Sequence, residues 1–388
     1  MSTALQLTAA EKALGVSLPH RRMEDWRWTD LRARITKPYP KTEVSAAAKD
    51  VERLLAASPF AKLAKARVVF VNGALDEGRS NLTGLKLTKH TSSLNAKGEL
   101  MDISRSVKAD GRTLEFHGTA DSLVEIIHVS TEAAPRAIGL HMRIFVAEGA
   151  SGSYIETFVG EGDYVVTSVT EISMEKGSRL DRLKLQNDSA KATHLSDVRY
   201  NLSADARLND VTVQRGAALT RQNGTCTFQG QNGEAKISGA YLLRGKQHCD
   251  TALTINHKVP HCTSRELFKC VMDDNARGIF QGKVVVARDA QKTDGKQSSH
   301  ALLLSESAEF DAKPELEIYA DDVVCGHGAT AGDLNHDHLF YLKSRGIPEA
   351  EAKSLLIAAF VGEAFDMVAN DDVREALVGI AQEWVVGK

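Results

Sequence analysis

Cys325 and His327 stand two residues apart at the end of a predicted strand that begins near Pro314. The glycines Gly326 and Gly328 predict a turn presenting both side chains to one ligand. A thiolate and an imidazole together suit a soft or borderline metal ion. Two donors do not complete a coordination shell, so the pair reads equally as a buried thiol beside a hydrogen-bonded histidine. The pair is also too close in the chain for the usual attack geometry of a Cys-His dyad, whose members lie far apart in sequence.

Other constellations carry less. In His257-Lys258-Val259-Pro260-His261-Cys262 the two histidines are spaced for one helical face, but Pro260 forbids the helix, which argues against a zinc site. His336-Asp337-His338 reads as a solvated helix start capped by Asn335 or Asp337. A carbohydrate-active enzyme, a lyase or glycoside hydrolase acting alone, would need Asp273, Asp274 or Glu317 grouped in one groove. The chain has no Gly-x-x-x-x-Gly-Lys-Ser/Thr loop, so any ATP hydrolysis would come from a partner.

These residues must be held by a sizeable scaffold. At 388 residues the chain has room for two or three structural units. A net charge of -3 gives no support for a nucleic-acid binder, and Arg21, Arg22, Arg27, Arg32 and Arg34 are offset by Glu24, Asp25 and Asp30, as on a solvated helical face. Five cysteines are too few for a disulfide framework, and reduced thiols fit a cytosol. The first residues lack a basic stretch followed by an apolar one, and no run of about 20 apolar residues occurs, so a cytoplasmic chain with no membrane span is expected.

Thr8-Ala9-Ala10-Glu11 predicts a capping box, and the segment from Ser45 to Ala57 places Val51, Leu54 and Leu55 on one helical face. Arg67 to Val71 predicts a strand closed by Asn72-Gly73. A small residue then recurs at Ala150, Ser178, Ala206, Ala235, Ala276 and Ala308, in steps of 28, 28, 29, 41 and 32. A near-fixed period with short β-branched runs predicts a β-solenoid, whose coils bury their apolar faces by stacking. The long step, holding Cys249, His257, His261 and Cys262, predicts a loop inserted into one coil. Beyond Thr330 two helical stripes follow: Leu355, Leu356, Ala359, Phe360, Ala364 and Met367, then Val373, Leu377, Ile380, Ala381 and Trp384. Such helices either cover the open end of the solenoid or dock a partner.

The run from Lys313 to Thr330 has specific neighbours. Asp289-Ala290-Gln291-Lys292-Thr293-Asp294 and Leu302-Leu303-Leu304-Ser305 precede it, and Leu339-Phe340-Tyr341-Leu342-Lys343-Ser344-Arg345-Gly346-Ile347 follows. In order and spacing these segments resemble the SufB/SufD family of iron–sulfur cluster assembly proteins from about Ala147 onward. Glu24-Asp25-Trp26-Arg27-Trp28-Thr29-Asp30-Leu31 extends the likeness to the N-terminal region. The SufB branch is longer and carries a cysteine just before the strand's proline. Ser305 to Ala312 contains no cysteine, and no Cys-x-x-Cys occurs, which favours the SufD branch.

The resemblance implies a mainly β fold: a right-handed parallel β-helix over 101–325 between an N-terminal, mainly helical region at 1–100 and a C-terminal helical domain at 326–388. It implies a non-catalytic scaffold subunit in a complex of one SufB, one SufD and two SufC ATPases. His327, with Cys325 beside it, would sit at the SufB interface, where the nascent cluster forms and where His327 is the candidate metal ligand shared with SufB. Leu355, Phe360 and Phe365 mark the expected SufC docking region. No cofactor is expected to be tightly bound to the isolated chain, although the family in some members implies a reduced flavin in the complex. Similar exposed strands on related solenoids would also permit a homodimer when SufB is absent.

Overall fold

The computed structural model describes residues 7–41, 46–119, 122–131 and 135–387. Its centre is a parallel β-solenoid of about 8 turns. Among the described residues ten strands form one sheet and nine the other, and along each parallel stack a strand bonds to the strand two further along the chain, except that Ala66–Val71 pairs with Val124–Ser130. Alternation within a strand follows from the two-residue period of extended backbone. In Thr263–Met272, Phe268, Cys270 and Met272 join the apolar lumen, while Val271 packs outward against the C-terminal helices.

The small residues recur because the corners are tight. Ala150, Ser178, Ala206 and Ala235 are fully buried where the chain enters the ten-stranded sheet. Ala276 and Ala308 hold the same place at the nine-stranded sheet. The long step is therefore no inserted loop. It is one coil plus the crossing from one sheet to the other, and it contains the regular strands His248–His257 and Thr263–Met272. His257 stacks on Phe228 with ring centroids 4.7 Å apart and bonds Ser264 at 3.1 Å, while His261 turns a corner with φ 62°. At another corner glycine is obligatory: a Cβ on Gly216 would lie 2.3 Å from the Asp188 backbone nitrogen.

Among the described residues seven α-helices flank the solenoid: α1 (Ala9–Leu14), α2 (Leu31–Arg34), α3 (Ala48–Ala56), α4 (Glu99–Val107), α5 (His336–Ser344), α6 (Glu349–Gly362) and α7 (Asp371–Val386). The expected capping box closes on α1, with Thr8 and Glu11 bonding each other's backbone N–H groups. Ser45 lies outside the described residues, but α3 buries Val51, Leu54 and Leu55 as the spacing predicts. The Glu24–Leu31 segment docks on the outer face of the nine-stranded sheet. Buried Trp26 there stacks under Arg221 at 4.6 Å, and the Thr29 hydroxyl donates to Asp250. Arg34 likewise reaches His248 at 3.1 Å, so this arginine is not free in solvent. Strand Ala66–Val71 already belongs to the ten-stranded sheet, and the last strand, Val324–Gly332, carries that sheet past residue 325.

The C-terminal helices do not close the open end. α6 and α7 lie along the outer face of the ten-stranded sheet, where Val361, Ala364, Phe365, Leu377 and Ile380 pack on Val211, Val213, Ala240, Leu242 and Val271. Outward Val, Leu and Ala side chains form an apolar lateral face, and covering it removes more apolar surface from water than covering one terminal coil. The burial phase of α6 also differs from the expected stripe: Ala352, Ile357, Ala358 and Val361 are buried, while Leu355 is exposed. The α7 stripe is buried as expected.

Charges cross the middle of the lumen. Arg182 donates to Glu156 at 2.7 Å and to Asp210 at 3.1 Å, all three fully buried, and the Tyr200 hydroxyl donates to Asp210. Lys184 donates to Ser196 at 3.0 Å and to Gln222 at 3.2 Å, and lies 3.0 Å from His194. Burial pulls its ammonium down to about 8.

Candidate functional site

Cys325 and His327 lie in a strand, not in a turn. Val324–Gly332 is the final strand of the ten-stranded sheet, with Cys325 opposite Gly295 and His327 opposite Gln297. Glycine is tolerated here because parallel pairing to one neighbour holds the backbone extended. Residues two apart in a strand share a face, so the two donors still point the same way. Cys325 packs on the lumen side at the end of the interior core, and its Sγ would sit 3.6 Å from a Cβ on Gly295. Among the described residues no further coil covers that face, so Cys325 is half-buried and His327 is exposed.

The final coil leaves two free edges, the strands Glu309–Ile318 and Val324–Gly332, each bonded on one side only. Around the corner joining them Tyr319 and Val324 are both 62 % exposed, with Ile318 beside them. An unpaired edge with apolar side chains is a template for another chain.

Burial raises the Cys325 thiol above its ordinary range, and Asp294 and Glu266 add to this. The uncomplexed thiol is thus held protonated, and binding a soft cation would displace the proton. Among the described residues no group of three or more His, Cys, Asp and Glu side chains is arranged to hold a metal ion. His336 and His338 open α5, capped by Asn335, whose Oδ1 accepts from the Asp337 and His338 amides. Asp273 and Asp274 stand at the corner entering strand Arg277–Val286, whereas Glu317 lies opposite Val285 near that strand's far end, paired with Lys283. The carboxylates a carbohydrate-cleaving enzyme would need do not share a groove, and that reading is not favoured.

Glu266 gave no signal in the sequence. It stands two coils behind His327 in one column, Glu266 opposite Gln297 and Gln297 opposite His327. It is buried, and neither carboxylate oxygen has a hydrogen-bond partner, although the Ser264 hydroxyl opposes part of the shift. Burial pushes its carboxyl up to about 8. The native chain therefore keeps a proton that the unfolded chain, titrating near 4.5, gives up, so stability falls as pH rises from 4.5 through about 8. Glu266→Gln is expected to match the native chain near pH 4.5 and to exceed its stability at alkaline pH by roughly 3–5 kcal/mol. Denaturant titrations across that range check this; parallel pH curves for the two proteins would contradict it.

The expected docking residues divide. Leu355 is exposed on α6, and Phe360 is part-buried with the Lys269 ammonium 4.6 Å from its ring centroid. Phe365 is 0 % exposed, committed to the contact with the sheet, and so offers no surface to a partner. The exposed aromatics nearby are Phe340, 74 % exposed, and Tyr341, on α5, a helix that buries no residue. Two adjacent aromatics in a short polar helix are a sequence signal for such a surface, here masked by their place in the motif.

Comparison with known proteins agrees with this architecture. A family model described as SUF system FeS cluster assembly, SufBD core domain, matches residues 128–360. The chain is 28 % identical over 389 residues to iron-sulfur cluster assembly protein SufD of Escherichia coli, covering 95 % of this chain and 89 % of that protein. It is 29 % identical over 394 residues to an iron-sulfur cluster assembly SufBD family protein of Synechocystis, covering 93 % and 86 %. SufD of Bacillus subtilis is 28 % identical over 270 residues, covering 68 % and 61 %.

Proposed function

Because this chain belongs to the SufBD family of iron–sulfur cluster assembly proteins, we propose that it is a non-catalytic scaffold whose open solenoid end forms half of a cluster-assembly interface. One observation carries the reading: Cys325 and His327 share the uncovered face of the last coil, on one of its two free edge strands and beside exposed Tyr319 and Val324. A second parallel solenoid, SufB in this reading, would extend the sheets across those edges. Its own thiolate would then meet His327 and Cys325, completing a set that two donors cannot make alone. The cluster is cargo here, built at the seam and passed on.

The helical domain suits a second partner, the SufC ATPase. Phe340 and Tyr341 on α5 and Leu355 on α6 are exposed apolar side chains, and α6 is anchored together with α7 to the ten-stranded sheet. Movement of that pair on ATP binding would be transmitted to the sheet ending in the Cys325 strand, because both share the Phe365 contact.

The test is anaerobic reconstitution with iron and sulfide of the chain co-expressed with SufB and SufC. His327→Ala is expected to lose the cluster's visible absorption and iron while the complex stays intact. Undiminished iron and absorption would overturn the assignment and leave the ligands on the partner. For the second surface, Phe340→Asp is expected to weaken ATPase capture by roughly 30-fold or more, as for a central interface aromatic. Its melting temperature should be unchanged, because α5 buries nothing. Unaltered capture would move the ATPase elsewhere.

A further inference from the structure

Far along the chain from the open-end site, one corner of the solenoid carries charges that cluster assembly does not use. The corners 215–218 and 244–247 stack directly, His248 N–H donating to Ala218 carbonyl at 3.1 Å and Gln247 Nε2 to Arg215 carbonyl at 3.1 Å. They place Arg215, Arg244 and Lys246 around a cavity of about 530 Å³ closed on its third side by the C-terminal turn of α7, with Glu383, Trp384 and Gly387.

These cations are poorly satisfied. Arg244 lies 4.4 Å over the Trp384 ring and donates Nη1 to the Gly387 carbonyl at 2.9 Å, but its Nη2 is buried without a partner. Among the described residues the half-buried Arg215 side chain makes no hydrogen bond or ion pair, and both burial and the charge of Arg244 disfavour its protonated form. Two acids line the same cavity. Asp188 is consumed by Tyr164, Gln186 and His194, and Glu383 attracts Arg215 without reaching it as an ion pair. Two guanidinium groups on successive coils, one with a buried orphan N–H, match an anion offering several oxygens to planar donors.

We propose that this corner cavity binds a small phosphate-bearing anion. The site is independent of the assembly reading and would survive its failure.

The test is calorimetric titration of the full chain at low salt with inorganic pyrophosphate, with inorganic phosphate in parallel. Saturable binding is expected. Arg215→Gln should weaken it at least tenfold while leaving the melting temperature in place, since that side chain holds no partner in the fold. Glu383→Gln should strengthen it by removing the one acid that competes for Arg215. Tighter binding of pyrophosphate would identify a polyphosphate ligand, and equal binding would identify free phosphate. No saturable heat up to about 10 mM, or binding indifferent to Arg215→Gln, would overturn the proposal.

Discussion

Arg182→Ala is expected to destabilise the solenoid by about 3–5 kcal/mol, a large share of the stability of a typical domain. The substitution strands two carboxylates. Glu156 and Asp210 sit on the neighbouring coils, both within hydrogen-bond distance of one guanidinium and both fully buried. Burial by itself would raise the Glu156 carboxyl. Hydrogen bonding to His128 and the charge of Arg182 outweigh that penalty and hold it far below its ordinary value. A carboxyl depressed in the native state stabilises above its unfolded pKa and loses that contribution as pH falls below 4.5. The native chain should therefore weaken in acid through this network, and Arg182→Ala should show a shallower acid limb. Combining Arg182→Met with Glu156→Gln and Asp210→Asn is expected to recover much of the loss, because neutral groups of similar volume need no buried counter-ion. Denaturant melts of the three proteins decide the matter. A loss below about 1 kcal/mol for Arg182→Ala would mean that water reaches the lumen and screens the carboxylates.

The second large effect is local. Phe365→Ala removes a fully buried ring from the contact between α6, α7 and the ten-stranded sheet, and a cost of about 3–5 kcal/mol follows from the lost burial and the cavity left behind. The solenoid's interior core is a separate cluster and does not depend on this ring. The expected outcome is a helical pair that opens ahead of the coils, with protease cuts appearing beyond residue 332 and fast amide exchange in α6 and α7 while the strands stay protected. The Ser238 hydroxyl, which donates to the Ala364 carbonyl at 2.6 Å, and the Lys269–Glu363 ion pair at 2.7 Å would remain as polar ties at that turn. ATPase capture should then fall although Phe340 and Tyr341 are untouched. Cooperative loss of strands and helices together would show that the two layers form one folding unit.

Local chemistry was legible without coordinates. The Thr8–Glu11 capping box, the Asn335 cap, the face of α3 and the stripe of α7 each depend on residues within a few positions of one another. The solenoid period was legible too, because a small residue is needed wherever a coil turns its corner. The two sheets use the same small residue at their corners. Period alone therefore could not say which sheet a given alanine enters, and the step to Ala276 read as an insertion. In α6 the segment Leu355-Leu356-Ile357-Ala358-Ala359-Phe360-Val361 is apolar all round, so no side of it is marked for burial. Packing against Val271 and Ala240 chose the phase, hiding Val361 and Phe365 and leaving Leu355 outside.

By itself the sequence determined that a thiol and an imidazole, candidate metal donors, face one ligand together, although it read a turn there and the structure holds them on one face of an extended strand. Only the tertiary structure decided that this face is the uncovered end of a stack. It also decided that Glu266 stands two coils behind it and that Arg215 meets Arg244 at a corner. Those neighbours lie about a coil or more apart in the chain, and their proximity is set by strand register, a property of the assembled sheets that no short stretch of residues encodes.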